Sequence, residues 1–220
     1  MSLEVIEVET AANPTATVLW MHGLGADGQD FVPVAQELSL AAVGPVRFVF
    51  PNAPVIPVTL NGGYPMRAWY DILGAELTQR QDEQGMRRTQ GAINTLIARE
   101  TARGIAASRI VVAGFSQGCA MALMTGLRYP DRLAGIMGLS GYLPLLTTLA
   151  AERSPANHGL PVFLGHGRRD GMVPLAAGAA TRDALTALGY PVDWHEYDME
   201  HSVCMEEIAD INRWLLRVLA

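Results

Sequence analysis

The sequence predicts an α/β fold in which a mostly parallel central sheet carries helices on both faces. Short apolar runs alternate with helix-length segments along the chain, which is the pattern of β-α-β units. Some runs, such as residues 110–113, are apolar at consecutive positions, as expected of strands buried on both faces. Half of the 220 residues are apolar and 17% are charged, so the chain can build one sizeable core. We therefore treat residues 1–220 as a single domain.

Seven short runs are predicted to be strands because they are rich in apolar and β-branched residues and lie between turn-forming residues. In chain order they are residues 5–8, 16–22, 46–50, 109–114, 135–139, 161–166 and 192–197.

Five segments between these runs have the length and periodicity of helices. They are residues 30–40, 89–103, 117–129, 173–188 and 204–219. Segment 117–129 is apolar nearly all round, which predicts a central, buried helix. In segment 204–219, Ile208, Ile211 and Leu215 share one face, and Glu207 is expected mainly on another.

Two long segments, residues 51–84 and 141–159, do not fit the alternation. The first is rich in proline, glycine and aromatic residues, and the second contains two prolines. Long loops inside a compact domain usually serve function, so we expect the substrate pocket to lie between them.

Composition and charge exclude several classes of function. The formal net charge of −6 argues against nucleic acid as a partner. No run approaches the roughly 20 apolar residues that cross a bilayer, and the first ten residues lack the basic and apolar regions of a signal peptide. Cys119 and Cys204 fit neither a disulfide framework nor a zinc site. We expect a soluble, cytoplasmic protein without integral membrane association and without a metal.

Residues 114–118 match the G-x-S-x-G nucleophile elbow of the α/β-hydrolase fold. The pentapeptide alone is a weak signal, because a glycine-rich turn with a capping serine can have the same residue pattern. Here it follows a predicted buried strand and precedes a predicted buried helix, which is the context the motif requires. We predict that Ser116 is the nucleophile.

The base and the acid should follow Ser116 in the order acid, then histidine. We predict His201 as the base, because it lies between the last strand and the last helix, where this fold presents its histidine. Asp170 is the predicted acid, since it follows the strand at residues 161–166. The alternatives are that Asp170 caps a helix and that Asp198 or Glu200 is the true partner.

An oxyanion hole needs two backbone N–H donors. Gln117, the residue after the nucleophile, should provide one. Leu24 should provide the other, because it lies in the glycine-rich loop after the early strand at residues 16–22. His22, in the same loop, is expected to be a packing or hydrogen-bonding residue, since it precedes the serine.

Six sequence elements occur in one order over nearly the whole chain. They are residues 20–25, 50–54, 69–71, 113–118, 166–174 and His201. Together they resemble the small carboxylesterases related to acyl-protein thioesterases and lysophospholipases. The resemblance implies hydrolysis of small-molecule carboxylic esters with short to medium acyl chains, without a cofactor. It also implies a shallow hydrophobic groove lined by Trp69, with Leu24, Met66 and Val173, and a homodimer.

We therefore predict a serine carboxylesterase that works through an acyl-serine intermediate. An acyl-protein thioesterase or a lysophospholipase is the alternative within the same chemistry, because acyl transfer to serine is common to all three. A non-catalytic binding module on a hydrolase scaffold is the alternative of another class, since a fold does not guarantee activity.

Overall fold

A computed structural model describes residues 3–76 and 78–220. Its strands are β1 (Val5–Glu9), β2 (Ala16–Met21), β3 (Val46–Pro51), β4 (Val55–Val58), β5 (Tyr64–Arg67), β6 (Ile110–Phe115), β7 (Gly135–Leu139), β8 (Val162–Gly167) and β9 (Val192–Tyr197). Seven of them form one sheet in the order β1-β3-β2-β6-β7-β8-β9, while β4 and β5 form a separate antiparallel hairpin. Every neighbouring pair in the large sheet is parallel except β1 with β3.

Helices cover both faces of this sheet, as predicted. They are α1 (Val32–Gln36), α2 (Glu83–Ala102), α3 (Gln117–Arg128), α4 (Leu146–Glu152), α5 (Leu175–Ala187) and α6 (Met205–Val218). Ile93 of α2, Ala120 of α3 and Leu185 of α5 belong to one apolar core. Ala35 of α1 and Ile211 of α6 belong to a second core. Alternate residues of the strands fill the two cores, which is why the central strands β6 and β7 are apolar at every position.

The seven predicted strands agree with the sheet to within one or two residues at each end. The helices differ more. The first predicted helix contracts to α1, because a 3-10 turn at Gly28–Phe31 comes before it, with the Gly28 N–H bound to the Asn52 side chain. α2 begins at Glu83, six residues early, because the Asp82 carboxylate accepts from the Gly85 N–H and caps the helix.

Both segments expected to be loops contain regular structure. The first holds the β4–β5 hairpin and the second holds α4. The structure also corrects the predicted face of Glu207, whose side chain is fully buried. The buried stripe of α6 runs through Glu207, Ile211, Trp214 and Leu215, with helical spacing, and leaves Ile208 only partly buried.

Within residues 3–76 and 78–220, no helix is long and apolar enough to cross a membrane. The same ranges contain no group of three His, Cys, Asp or Glu side chains arranged to hold a metal ion.

Candidate active site

Ser116 lies in a sharp turn between β6 and α3, with a left-handed φ of 56° and a ψ of −117°. Two close backbone approaches make this turn depend on glycine. A Cβ at position 114 would lie 2.1 Å from the carbonyl oxygen of Gly118, and one at position 118 would lie 2.3 Å from that of Met21. The strained turn projects the serine from the carboxyl end of a central strand, at the N-terminus of α3.

His201 contacts both Ser116 and Asp170. Its Nε2 lies 2.9 Å from the serine Oγ, and its Nδ1 lies 2.7 Å from Asp170 Oδ2. Because a carboxylate can only accept, Nδ1 carries the proton and Nε2 is left to accept the serine proton. The structure thus brings together the three side chains predicted from the sequence. The Asp170 carboxylate is fully buried, whereas the imidazole is 19% exposed.

Asp170 is held by the loop that follows β8. Its Oδ1 accepts from the N–H groups of Met172 and Val173, so Oδ2 remains for His201. Since α5 begins at Leu175, Asp170 is not a helix cap. The alternative Asp198 instead pairs with Arg169 on the surface.

The candidate oxyanion hole lies beside Ser116 and is formed by α3 and by the loop after β2. Gln117 is the first residue of α3, so its N–H belongs to the helix end that favours negative charge. Leu24 and Gln117 both line the cavity that contains Ser116. A Cβ at position 23 would lie 3.4 Å from the Ser116 Cβ, so this loop passes directly beside the serine.

His22 secures that loop, as predicted, through hydrogen bonds. Its Nδ1 donates to the Gly23 carbonyl oxygen at 2.7 Å, and its Nε2 accepts from the Ala53 N–H at 3.0 Å. Burial lowers the pKa of His22, which favours the neutral ring that this bonding pattern requires.

A cavity of about 280 Å³ opens above Ser116. It lies between the two long segments, where the sequence predicts the pocket, because Leu60 and Tyr70 come from the first segment and Tyr142 from the second. Leu24 and Val173 are on its wall. At the mouth, Leu60 and Met172 are 46% and 73% exposed, which gives the entrance an apolar rim.

Trp69 and Met66 do not line this cavity, contrary to prediction. The Trp69 side chain is 1% exposed, and its indole Nε1 donates to the His22 carbonyl oxygen at 2.8 Å. Through this hydrogen bond, Trp69 supports the loop after β2 from the core side. The Met66 sulfur accepts from the Asn61 side chain at 3.4 Å, and of these two residues only Asn61 lines the cavity.

Sequence reasoning missed Tyr70 and Tyr142. Gln117 determines which of two neighbouring aromatic residues faces the cavity. Its Oε1 accepts from the Trp69 N–H and its Nε2 donates to the Tyr70 carbonyl oxygen, both at 2.8 Å. This clamp turns Trp69 into the core and Tyr70 toward the cavity. The signal in the sequence was only that both tyrosines lie in the two long segments.

The sheet order, the strained serine turn and the contacts of His201 define a serine hydrolase of the α/β-hydrolase fold. The chain belongs to the phospholipase/carboxylesterase family, whose pattern matches residues 3–219. It is an enzyme that hydrolyses carboxylic esters, and the interpretation as a non-catalytic binding module is not supported.

Similar proteins match nearly the whole chain. Acyl-protein thioesterase 1 of Yarrowia lipolytica is 40% identical over 215 residues, covering 96% of this chain and 95% of the relative. Acyl-protein thioesterase 1 of Mycosarcoma maydis is 42% identical over 230 residues, covering 98% and 96%. Among solved structures, acyl-protein thioesterase 2 of Zea mays superimposes with a TM-score of 0.86 at 31% identity, covering 99% of each chain.

Proposed function

We propose that this protein is an acyl-protein thioesterase, which cleaves the thioester that joins an acyl chain to a cysteine side chain. The observation that carries the proposal is the identity of about 40%, over nearly the full length, to proteins of that name. The cavity agrees with it, because Ser116 lies on the wall of an apolar pocket with an exposed apolar rim. The carboxylesterase predicted from the sequence is the coarser description of the same chemistry.

In the first half of the reaction, the Ser116 Oγ attacks the thioester carbonyl carbon. His201 Nε2 takes the hydroxyl proton as the new C–O bond forms, and the carbonyl electrons move onto oxygen. Asp170 holds the imidazole tautomer and stabilises the imidazolium. The N–H groups of Leu24 and Gln117 would bind the oxyanion, next to the positive end of the α3 dipole.

Collapse of this intermediate breaks the C–S bond. A cysteine thiol has an ordinary pKa of about 8.5, so it departs readily as a thiolate and receives its proton from the imidazolium. In the second half, water enters and His201 takes one of its protons. The resulting hydroxide adds to the acyl-serine, and the carboxylic acid leaves as Ser116 recovers its proton.

The test compares kcat/KM for two matched peptides, one carrying an acyl-cysteine thioester and the other the corresponding acyl-serine ester, which differ only in sulfur against oxygen. A lysophospholipid is assayed as the third substrate. We expect kcat/KM to be highest for the thioester peptide, with no turnover by Ser116→Ala. Faster hydrolysis of the oxygen ester would contradict the proposal and identify the protein as a carboxylesterase. A preference for the lysophospholipid would identify it as a lysophospholipase.

We also propose that the enzyme acts in the cytoplasm and forms a homodimer. The two thiols support the first point, since Cys119 is buried and Cys204 is half-buried, and both are free. Sedimentation of the purified protein tests the second.

A further inference from the structure

A second cavity of about 630 Å³ lies next to the one above Ser116. It is bounded by α4, α5 and residues 78–83. Tyr142 is the one described residue that lines both cavities, and we refer to it as the partition between them. Tyr142 itself is only 4% exposed to solvent, so neighbouring residues cover nearly all of its surface.

One side-chain hydrogen bond, together with packing in the apolar core, holds this partition in place. The hydroxyl groups of Tyr70 and Tyr142 lie 2.8 Å apart, and both side chains are buried. Among the described residues, each of these hydroxyl groups makes its only hydrogen bond with the other. Burial raises the pKa of Tyr142 to about 12, so the pair stays neutral and the bond is an ordinary one between two hydroxyls.

The backbone around Tyr142 is fixed, so any movement falls to the ring. The Leu143 N–H donates to Thr181 Oγ1 at 2.8 Å, and the Leu145 N–H donates to Gln81 Oε1 at 3.0 Å. Both partners come from elements that border the second cavity. Rotation of the tyrosine side chain would connect the two spaces without moving the chain.

The second cavity has the lining that an alkyl chain requires. Its apolar wall includes Leu143, Leu145, Ala177 and Ala184. Polar groups such as Thr78 and Gln79, in the segment before α2, also border it. Burial of methylene groups against the leucine and alanine wall would be favourable for each carbon added.

We propose that Tyr142 is a gate for acyl-chain length and that the second cavity is the subsite for the distal end of a long acyl chain. The inference rests on the proposed function, because it assigns the acyl group of that substrate. Short acyl chains fit above Ser116 with the gate closed. Longer chains displace the Tyr142 ring from Tyr70 and extend between α4 and α5.

The test measures kcat/KM for nitrophenyl esters from butanoyl to hexadecanoyl. Ala180→Phe places a ring in the second cavity from an exposed position on α5. It should lower the ratio of kcat/KM for the hexadecanoyl ester to kcat/KM for the butanoyl ester by at least about tenfold, the discrimination typical when a pocket no longer accommodates a methylene group. Ala176 is also exposed on α5 but is not among the residues that line the cavity; Ala176→Phe is the matched control and should leave the ratio unchanged. Tyr142→Phe keeps the ring, removes the hydrogen bond and should raise the ratio severalfold.

The gate is overturned if Ala180→Phe and Ala176→Phe give the same acyl-length profile. It is also overturned if wild type and Tyr142→Phe both cleave butanoyl esters but no hexadecanoyl ester, because the partition is then immobile. Either result leaves the proposed thioesterase in place. Failure of the proposed function would be seen differently: wild-type protein would then cleave oxygen esters or lysophospholipids faster than thioester peptides.

Discussion

The Nε2 atom of His201 lies 2.9 Å from the Oγ of Ser116, although 85 positions separate the two residues in the chain. The contact follows from the direction of the strands. β6 and β9 are parallel members of one sheet, so the turn after β6 and the loop after β9 emerge at the same edge. Phe115 packs against the imidazole with a centroid separation of 4.7 Å and fixes its position from the serine side.

Ser116→Ala should abolish turnover while the protein stays folded. Removing the nucleophile of a serine hydrolase costs on the order of 10⁶ in kcat, because attack and proton transfer are lost together. A fluorophosphonate probe should label wild type and not the variant, and their melting temperatures should agree. Labelling that persists in Ser116→Ala would place the nucleophile elsewhere.

Asp170→Asn should lower kcat by roughly 10⁴ with a small change in KM. An amide can donate to His201 Nδ1, which favours the wrong imidazole tautomer. Asp198→Asn is the matched control, because Asp198 is the exposed alternative and pairs only with Arg169 in the described structure. If Asp198→Asn were the more damaging change, the assignment of the acid would be wrong.

Gly118→Ala should destabilise the protein by at least about 1–3 kcal/mol, because its Cβ would collide with the Met21 backbone 2.3 Å away. Gly91→Ala is the control within a helix. Gly91 is exposed on α2, and a Cβ added there would meet no described atom within 4 Å beyond its chain neighbours and the backbone of its own helix, so alanine should stabilise by roughly 0.5–1 kcal/mol. Denaturant unfolding measures both, and equal effects would contradict the steric account of the elbow.

Much of the sheet and of the candidate site could be predicted because local signals and chain order agree there. The run at residues 110–113 is apolar throughout, and the G-x-S-x-G turn follows it directly. The β4–β5 hairpin could not be predicted, since Pro57 and Pro65 face each other in it and most of its residues are at least partly exposed. Strands of that kind lack both the apolar alternation and the propensity that reveal a strand.

The errors at the site have a common cause, which is that orientation depends on contacts distant in sequence. Whether Trp69 or Tyr70 faces the cavity is decided by the side chain of Gln117. The buried face of α6 differs by one position from the predicted one, and this small rotation is enough to bury Glu207. Periodicity locates a helix more reliably than it fixes the phase of its buried stripe.

Glu207 gives a prediction for stability against pH. Both of its carboxylate oxygens are buried without a hydrogen-bond partner among the described residues. Burial, reinforced by the nearby charge of Asp210, raises its pKa to about 8 from the ordinary 4.5. Between these two values the unfolded chain releases a proton that the folded protein retains. The free energy of unfolding should therefore fall as the pH rises, by about 1.4 kcal/mol per pH unit from this group, and level off above about pH 8.

Glu207→Gln should remove that slope, because the amide keeps the size of the side chain and cannot ionise. Wild type and variant should have similar stability near the ordinary glutamate pKa, and the variant should be the more stable above pH 8, by a difference on the order of several kcal/mol. Glu206→Gln is the matched control, since Glu206 is the exposed neighbour on the same turn of α6. Urea unfolding across this range measures all three proteins. A wild-type slope that survives in Glu207→Gln would mean that another group, and not this buried carboxyl, sets the pH dependence.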